Sequence, residues 1–214
     1  PDAVMHTDAV QGYMKIGCEP KKLGADLVSV SAHKINGPKG IGALWCSSQI
    51  IKSKKIRPVI FGGGQEGGFR SGTENLIGIA GFAAAASEKK PHIGESYEKV
   101  TALRRTLVEN LPSEVRLNQP VGEYLPHIIS LTVPGIKSEV LVRYLSEKGI
   151  YISAGSACSA KRRKVDGVLL SFGLTEEEAD STVRISISDQ NTDEEIAELL
   201  SALSEGMKSL QKIR

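Results

Sequence analysis

Short β-branched runs separated by Gly, Pro and Asn turns alternate with Ala-rich and Leu-rich helical stretches along the chain. In the first half, Leu27 to Ser31 and Ile41 to Trp45 have the composition of strands, and Ala3 to Thr7 predicts a shorter one. The Ala-rich segment from Thr73 to Lys89 predicts a helix that ends at Pro91. This alternation is typical of an α/β protein.

The second half of the chain predicts a smaller α+β unit. Helical periodicity covers Glu95 to Leu111 and Ser138 to Lys148, and strand patterns cover His127 to Val133 and Val183 to Ser188. We expect a domain boundary between residues 88 and 112 and therefore divide the chain into residues 1–100 and residues 101–214. A capping box, Thr192 with Glu195, opens the last helix. The apolar stripe of that helix contains Ile196, Leu199, Leu200, Leu203, Met207 and Leu210.

Composition and charge exclude several function classes. The formal net charge is +2, and no basic stripe indicates nucleic-acid binding. No apolar run approaches the roughly 18 residues that a membrane span needs. Three widely separated cysteines without CxxC spacing argue against a disulfide framework and a zinc site, and favour a reducing, cytoplasmic compartment. The chain starts without Met in a strand-like segment, so we expect a fragment of a longer protein.

Lys34 lies in a turn-rich segment directly after a strand. Such a lysine is either a solvated surface residue or a Schiff-base lysine that bonds an aldehyde cofactor. A pyridine-ring cofactor of that kind also needs an acid beside its ring nitrogen, and hydroxyl or N–H donors for its phosphate. Asp8 ends the first strand, and Ser31 and His33 precede the lysine. Adjacent strands of an α/β sheet would bring these groups to one crevice.

Three ordered motifs resemble the signatures of cysteine desulfurases, which are pyridoxal-phosphate-dependent enzymes of the class V aminotransferase fold, type I. The motifs are HTDAVQ at 6–11, SAHKINGPKG at 31–40, and GGGQE at 62–66 followed by RSGT at 70–73. The resemblance runs essentially from end to end. It implies the C-terminal part of a large cofactor-binding domain, at residues 1–100, followed by a small α+β domain that carries a catalytic cysteine loop.

The resemblance implies a role for each matching residue in the first half. Lys34 would anchor pyridoxal 5′-phosphate covalently and later move protons. Asp8 would pair with the pyridine nitrogen, and Gln11 would hydrogen-bond the phenolic oxygen. Ser31 and His33 would hold the phosphate.

The glycine-rich segment from Gly62 to Gly68 also belongs to the resembling region. A nucleotide-binding loop is a poor alternative, because neither a following Lys-Ser/Thr nor a GxGxxG context is present. In the family a threonine of the partner subunit completes the phosphate site, and it falls on Thr73, which implies a homodimer. Gly67 departs from the family pattern, where arginine is common, and we expect this change to affect dimer contacts rather than chemistry.

Cys158 lies among small residues, Gly155 to Ala160, where nothing bulky hides the thiol. Cys46 and Cys18 fit the alternative of an inert, buried cysteine better. The basic run Lys161 to Lys164 would favour the thiolate at Cys158; a solvated loop and a docking site for an acidic sulfur acceptor are competing interpretations. The resemblance makes Cys158 the nucleophile that takes up sulfur as a persulfide.

Arg184 interrupts an apolar-alternating strand after the cysteine loop. Its planar guanidinium could form a structural ion pair or bind a carboxylate with two hydrogen bonds. The resemblance favours the carboxylate of the substrate, L-cysteine. It implies conversion of L-cysteine to L-alanine, with sulfur passed to an acceptor or iron–sulfur scaffold protein.

Three further groups of the family's cofactor site precede the first residue of this chain: a stacking histidine, a Gly/Thr phosphate turn and an asparagine. His6 cannot replace that histidine, because it lies within the aspartate motif. We therefore expect the 214 residues to bind cofactor weakly unless an N-terminal portion is supplied, for example as a separate chain. Two alternatives stay open: a selenocysteine lyase or another cysteine lyase of the same fold, and a non-catalytic dimerisation or scaffold-binding module.

Overall fold

The computed structural model describes residues 3–155 and 167–210. The chain divides into two compact units, Pro1–Glu95 and Ser96–Arg214. This division falls inside one helix, Ile93–Glu109. The assignment of residues 1–100 to a cofactor domain and of residues 101–214 to a cysteine-loop domain stays a prediction.

The first unit contains a mixed three-stranded sheet in the order β1-β2-β3. β1 pairs with β2 in parallel, and β2 pairs with β3 antiparallel. Its strands are β1 (His6–Asp8), β2 (Leu27–Ser31) and β3 (Gly42–Cys46), its α-helices are α1 (Ser48–Ser53) and α2 (Leu76–Lys89), and its 3-10 helices are Ala32–Ile35, Glu66–Gly68 and Lys90–His92.

The start expected for helix α2 is wrong by three residues. The side chain of Asn75 accepts a hydrogen bond from the Gly78 amide at 3.0 Å and so caps the helix, which begins at Leu76 rather than Thr73. Thr73 consequently lies in the loop before the helix. Pro91 interrupts the helical run as predicted, through one turn of 3-10 helix.

The second unit contains an antiparallel four-stranded sheet in the order β4-β5-β7-β6. Its strands are β4 (Arg116–Asn118), β5 (Ile128–Thr132), β6 (Ser153–Ala154) and β7 (Thr182–Ser186), and its helices are α3 (Ile93–Glu109), α4 (Ser138–Glu147), α5 (Gly167–Ser171), α6 (Glu176–Asp180) and α7 (Asp193–Ser209).

Helices α3, α4 and α7 bury their apolar stripes against strands β5 and β7. The predicted stripe of α7 is confirmed, and both halves of the capping box at Thr192 and Glu195 are formed. The fully buried side chains of this core include Leu107, Ile129, Leu131, Leu141 and Leu145. Within the described residues, no helix is long and apolar enough to cross a membrane.

A second capping box opens α6 and is combined with an ion pair. The Glu178 carboxylate lies 2.7 Å from the Arg116 guanidinium, and it accepts a hydrogen bond from the Thr175 amide at 2.8 Å. The Arg116 hydrogen bond first, and the Thr175 amide second, lower the pKa of Glu178 from 4.5 to about 2. Since Arg116 belongs to β4, this carboxylate joins α6 to the edge of the sheet.

We expect Glu178→Gln to flatten the acid dependence of unfolding. A carboxyl group whose pKa is lower in the folded state contributes stability above its ordinary pKa, and that contribution disappears as the pH falls from about 5 to about 2. The variant should be less stable than the parent at pH 7 and should approach it at pH 3, as measured by urea unfolding. Glu177→Gln, on the same helix, is the control and should retain the parent's pH dependence.

Candidate active site

Parallel pairing places the predicted aspartate and lysine segments at one edge of the first sheet. Asp8, the last residue of β1, is in register with Ser29 of β2. Ser31 ends β2 two residues further on, and alternation along the strand puts it on the same face as Ser29 and Asp8. Lys34 follows in the next turn. The predicted proximity of the two strand ends is therefore confirmed.

The Asp8 carboxylate is exposed but held in place. Its Oδ1 accepts a hydrogen bond from the Val10 amide at 3.0 Å, while Oδ2 has no hydrogen-bond partner within the described residues. Two residues earlier, Nε2 of His6 lies 2.9 Å from the Ser29 hydroxyl, which ties the two strands together on this face. One carboxylate oxygen is thus positioned by the backbone, and the other can pair with a ligand.

Lys34 is presented to solvent by one turn of 3-10 helix. Ala32 and Ile35 are buried, whereas His33 and Lys34 are exposed. Positions three apart lie above each other in a 3-10 helix, so burying the first and the last residue turns the two between them outward. The turn closes where the Gly37 amide donates to the Ala32 carbonyl at 2.9 Å.

Helix α2 supports both turns of this site. A side chain at Gly81 would meet the Pro38 ring at 2.6 Å, so the absence of a side chain lets the lysine segment approach the helix. The next residue of α2, Phe82, packs edge-on against Tyr13, with 6.0 Å between the ring centroids. Tyr13 belongs to the turn that carries Gln11, which is itself exposed.

Lys15 is a neighbour of this site that the sequence pattern did not single out. Its ammonium donates to the carbonyls of Gln11 at 3.2 Å and Lys34 at 3.4 Å. Burial first, and then the charges of Lys34 and Lys89, lower its pKa from the ordinary value. Backbone carbonyls occur at every residue, so no sequence motif marks such a contact.

The glycine-rich loop is ordered by a glutamine. Oε1 of Gln65 accepts a hydrogen bond from the Gly72 amide at 3.0 Å. Ser71, the residue before Gly72, is buried. Thr73 and Gly67 are both exposed, and Gly67 has a φ of 62°. The loop therefore presents Thr73 outward, and its expected role at a partner's phosphate site stays a prediction.

The three cysteines differ in what can be said of them. Cys158 and the basic run that follows it lie outside the described residues. Cys18 and Cys46 are free and half-buried rather than fully buried as expected, and Cys18 packs against the small apolar cluster of the first unit. Partial burial still raises the pKa of both thiols, which disfavours their thiolates.

Arg184 lies on the face of the second sheet opposite the three core helices. It is in register with Ser130 of β5 on one side and with Ser153 of β6 on the other. The apolar neighbours Val183 and Ile185 point the other way, into the core. Ser153, which the sequence pattern did not identify, is thus a direct neighbour of Arg184, and Cys158 follows it by five residues in the sequence.

The Arg184 guanidinium has unused donors. Its Nη2 donates one long hydrogen bond, 3.4 Å, to the Ser153 hydroxyl, and its buried Nε has no partner among residues 3–155 and 167–210. In the part of the chain that the structure describes, no carboxylate pairs with it, so the alternative of a structural ion pair gains no support there. Buried donors without acceptors are rare in folded proteins. A ligand carboxylate is the chemical partner that such a fork fits best.

Comparison with known proteins gives a consistent result. The family model for class-V aminotransferases matches residues 1–199. Cysteine desulfurase IscS 1 of Archaeoglobus fulgidus is 37% identical over 203 residues, covering 94% of this chain and 52% of that protein. Cysteine desulfurase IscS of Clostridium botulinum is 38% identical over 213 residues, 97% of this chain and 53% of that protein.

A solved structure agrees with the sequence relatives. The NifS-like protein from Rickettsia africae superposes with a TM-score of 0.85 at 34% identity, covering 98% of this chain and 54% of that one. The chain spans about half the length of the curated relatives it matches.

We expect Gly37→Ala to destabilise the lysine turn. A Cβ atom there would meet the Cβ and the carbonyl oxygen of Ala32 at 3.0 Å each. Overpacking of this kind costs about 1–3 kcal/mol. Gly17→Ala, where a Cβ atom would meet nothing within 4 Å, is the matched control and should change the free energy of unfolding by less than about 0.5 kcal/mol. Equal effects of both variants on urea unfolding would contradict the steric argument.

Replacement by methionine should change the free energy of unfolding in opposite directions at two arginines of the second unit. Arg104 is buried and satisfied: it donates to Gln119 and to the Ile128 carbonyl, and it lies 4.6 Å above the Tyr124 ring. Arg104→Met should cost about 2–3 kcal/mol. Arg184→Met removes a buried donor without a partner and should raise the free energy of unfolding by about 1 kcal/mol. A loss of stability in Arg184→Met similar to that in Arg104→Met would show that Arg184 is structural.

Proposed function

This chain belongs to the class-V aminotransferase family and has its α/β fold, and from that premise we propose that its protein works as a pyridoxal-phosphate-dependent cysteine desulfurase. It would convert L-cysteine to L-alanine and transfer the sulfur to an acceptor protein. The observation that carries the proposal is the parallel β1–β2 pair, which brings an aspartate and an exposed lysine turn to one sheet edge. The curated relatives that match it are named cysteine desulfurases.

The side chains at this edge fit pyridoxal phosphate. The exposed Lys34 amine suits an aldehyde, the unpaired Oδ2 of Asp8 suits a protonated ring nitrogen, and Ser31 and His33 offer donors to a phosphate. When bound, this cofactor supplies an electron sink for the substrate's α-carbon. The acid at Asp8 keeps that sink effective, because a protonated ring nitrogen draws electrons more strongly.

The remaining roles at this edge concern positioning and proton transfer. Lys34 anchors the cofactor and, once released by the substrate, moves the α-proton. The Gln11 amide contacts the phenolic oxygen. The partner subunit's Thr73 completes the phosphate site in a homodimer, and the exposed position of Thr73 in this chain is consistent with such a contact.

Arg184 binds the substrate carboxylate in this proposal. Its Nε, which has no partner in the described part of the chain, and its weakly used Nη2 offer two donors from a face where Ser130 and Ser153 flank it. A bidentate pair fixes the amino acid in one orientation, which a lysine cannot do. The buried setting strengthens the pair, because fewer water molecules compete for the guanidinium.

Cys158 is the proposed sulfur acceptor within the enzyme. Its thiolate would attack the substrate sulfur, so that an S–S bond forms as the C–S bond breaks. The electron pair of the broken bond stays with the substrate's β-carbon, which takes up a proton. A persulfide remains on Cys158, and the carbon skeleton leaves as alanine. The cations at positions 161–164 would favour the thiolate and could also guide an acidic acceptor, such as an iron–sulfur scaffold protein.

We further propose that the complete pocket needs residues beyond these 214, either on the same polypeptide or on a second chain. The chain spans about half the length of its matched relatives, and the stacking histidine of the family has no counterpart in it. A cytoplasmic location suits the free thiols of Cys18 and Cys46.

The test compares three variants of the full-length protein. Lys34→Ala should lose the visible absorbance of lysine-bound cofactor and all alanine production, because the covalent anchor is gone. Cys158→Ser should keep that absorbance but lose alanine production from cysteine by more than about 1,000-fold, since the nucleophile is removed. Cys46→Ser is the matched control: its thiol is half-buried and should not affect either measurement.

Three outcomes would overturn the proposal. If Lys34→Ala still produces alanine, Lys34 is not the covalent anchor of the cofactor. If Cys158→Ser is fully active, Cys158 does not carry the persulfide. An unchanged protein that releases selenide from selenocysteine but no alanine from cysteine would be a selenocysteine lyase instead.

A further inference from the structure

Lys15 joins the two turns that carry the proposed cofactor-binding side chains. Its Nζ donates to the Gln11 carbonyl at 3.2 Å, within its own turn, and to the Lys34 carbonyl at 3.4 Å, in the other turn. The side chain is half-buried, so it lies between the turns rather than in solvent. A single ammonium group thus contacts the backbone of both Gln11 and Lys34.

The backbone before Lys15 forms a tight turn. The Tyr13 amide donates to the Ala9 carbonyl at 2.8 Å, and the Lys15 amide donates to the Gly12 carbonyl at 3.0 Å. Between them, Met14 has a φ of 56°, in the left-handed region. That conformation costs a residue with a side chain roughly 1–2 kcal/mol and persists only where surrounding contacts enforce it.

The position of Lys15 is electrostatically unfavourable. Burial, and then the neighbouring charges of Lys34 and Lys89, lower its pKa. A cation held near two other cations needs compensating acceptors, and the two carbonyl groups provide them. Tyr13 against Phe82 and Pro38 against Gly81 fix each turn to α2, whereas Lys15 connects one turn directly to the other.

We propose that Lys15 is a positioning residue of the site, whose ammonium group holds the Gln11 turn and the Lys34 turn at a fixed separation. The inference rests on the function proposed above, since it gives Gln11 and Lys34 their shared ligand. Within the described residues, both hydrogen bonds of the Lys15 ammonium go to backbone carbonyls, so it acts through the direction in which the Gln11 amide and the Lys34 amine project.

The test measures backbone exchange as well as catalysis. In Lys15→Met of the full-length protein, deuterium exchange should rise about tenfold in both peptides, residues 9–16 and residues 32–37, because a charged donor to two carbonyls is lost. The kcat for alanine production should fall about tenfold with little change in KM, since the substrate carboxylate site is untouched. Lys15→Arg keeps the charge and the donors and should recover most of both losses.

Lys21→Met is the control, because Lys21 is exposed and lies in the same stretch of chain outside both turns. It should leave exchange and kinetics unchanged. Unchanged exchange in Lys15→Met, or faster exchange in one turn alone, would overturn the inference. Should Lys15→Met fail to fold, Lys15→Gln replaces it with the same criteria.

The exchange measurement separates the inference from the proposed function. If the unchanged protein binds no cofactor but both turns exchange faster in Lys15→Met, the proposed function is refuted. The connection between the two turns then still stands. If the unchanged protein binds cofactor and is active, and Lys15→Met shows no faster exchange, the proposed function stands and the role of Lys15 is refuted.

Discussion

The parallel pairing of β1 with β2 is the constraint on which the cofactor-binding half of this molecule depends. It sends the carboxyl ends of two strands to the same edge, so that Asp8 and the Lys34 turn meet although 26 residues separate them in the sequence. A one-residue slip in this register would send Asp8 to the opposite face of the sheet. Two contacts between the strands strengthen the observed register: His6 Nε2 lies 2.9 Å from the Ser29 hydroxyl, and the Ala9 amide donates to the Ser29 carbonyl at 2.9 Å.

The second sheet holds a half-buried cation, Arg184, which pairs with no carboxylate among the described residues. β7 alternates apolar and polar residues, so Val183 and Ile185 anchor the strand in the core and Arg184 is held on the opposite face. The same face carries the buried pair Thr132 and Thr182, whose hydroxyl groups lie 2.8 Å apart. The Thr182 hydroxyl donates to the Glu178 carbonyl at 2.7 Å, whereas Nε of Arg184 has no acceptor within the described ranges.

Much of the architecture was predictable because local rules and the fold agree. The stripe of α7, its capping box and the strands around Val28 and Ile185 follow from periodicity and capping chemistry alone. The first residue of α2 was not predictable, because Thr73 and Asn75 are both acceptable caps. Only the hydrogen bond from the Gly78 amide to Asn75 decides between them. The role of Lys15 was not predictable from the sequence, because its hydrogen-bond partners are backbone carbonyls and these occur at every residue.

Unused hydrogen-bonding capacity is what distinguishes the proposed site residues from their structural counterparts in the same chain. Arg104 is buried and Arg184 is half-buried, yet the first has acceptors and an aromatic ring, while the second has one long hydrogen bond among the described residues. Asp8 likewise commits one carboxylate oxygen to the backbone and leaves the other without a partner among the described residues. The function proposed above would use this capacity, because a substrate carboxylate would accept from Arg184 and a protonated ring nitrogen would donate to Asp8.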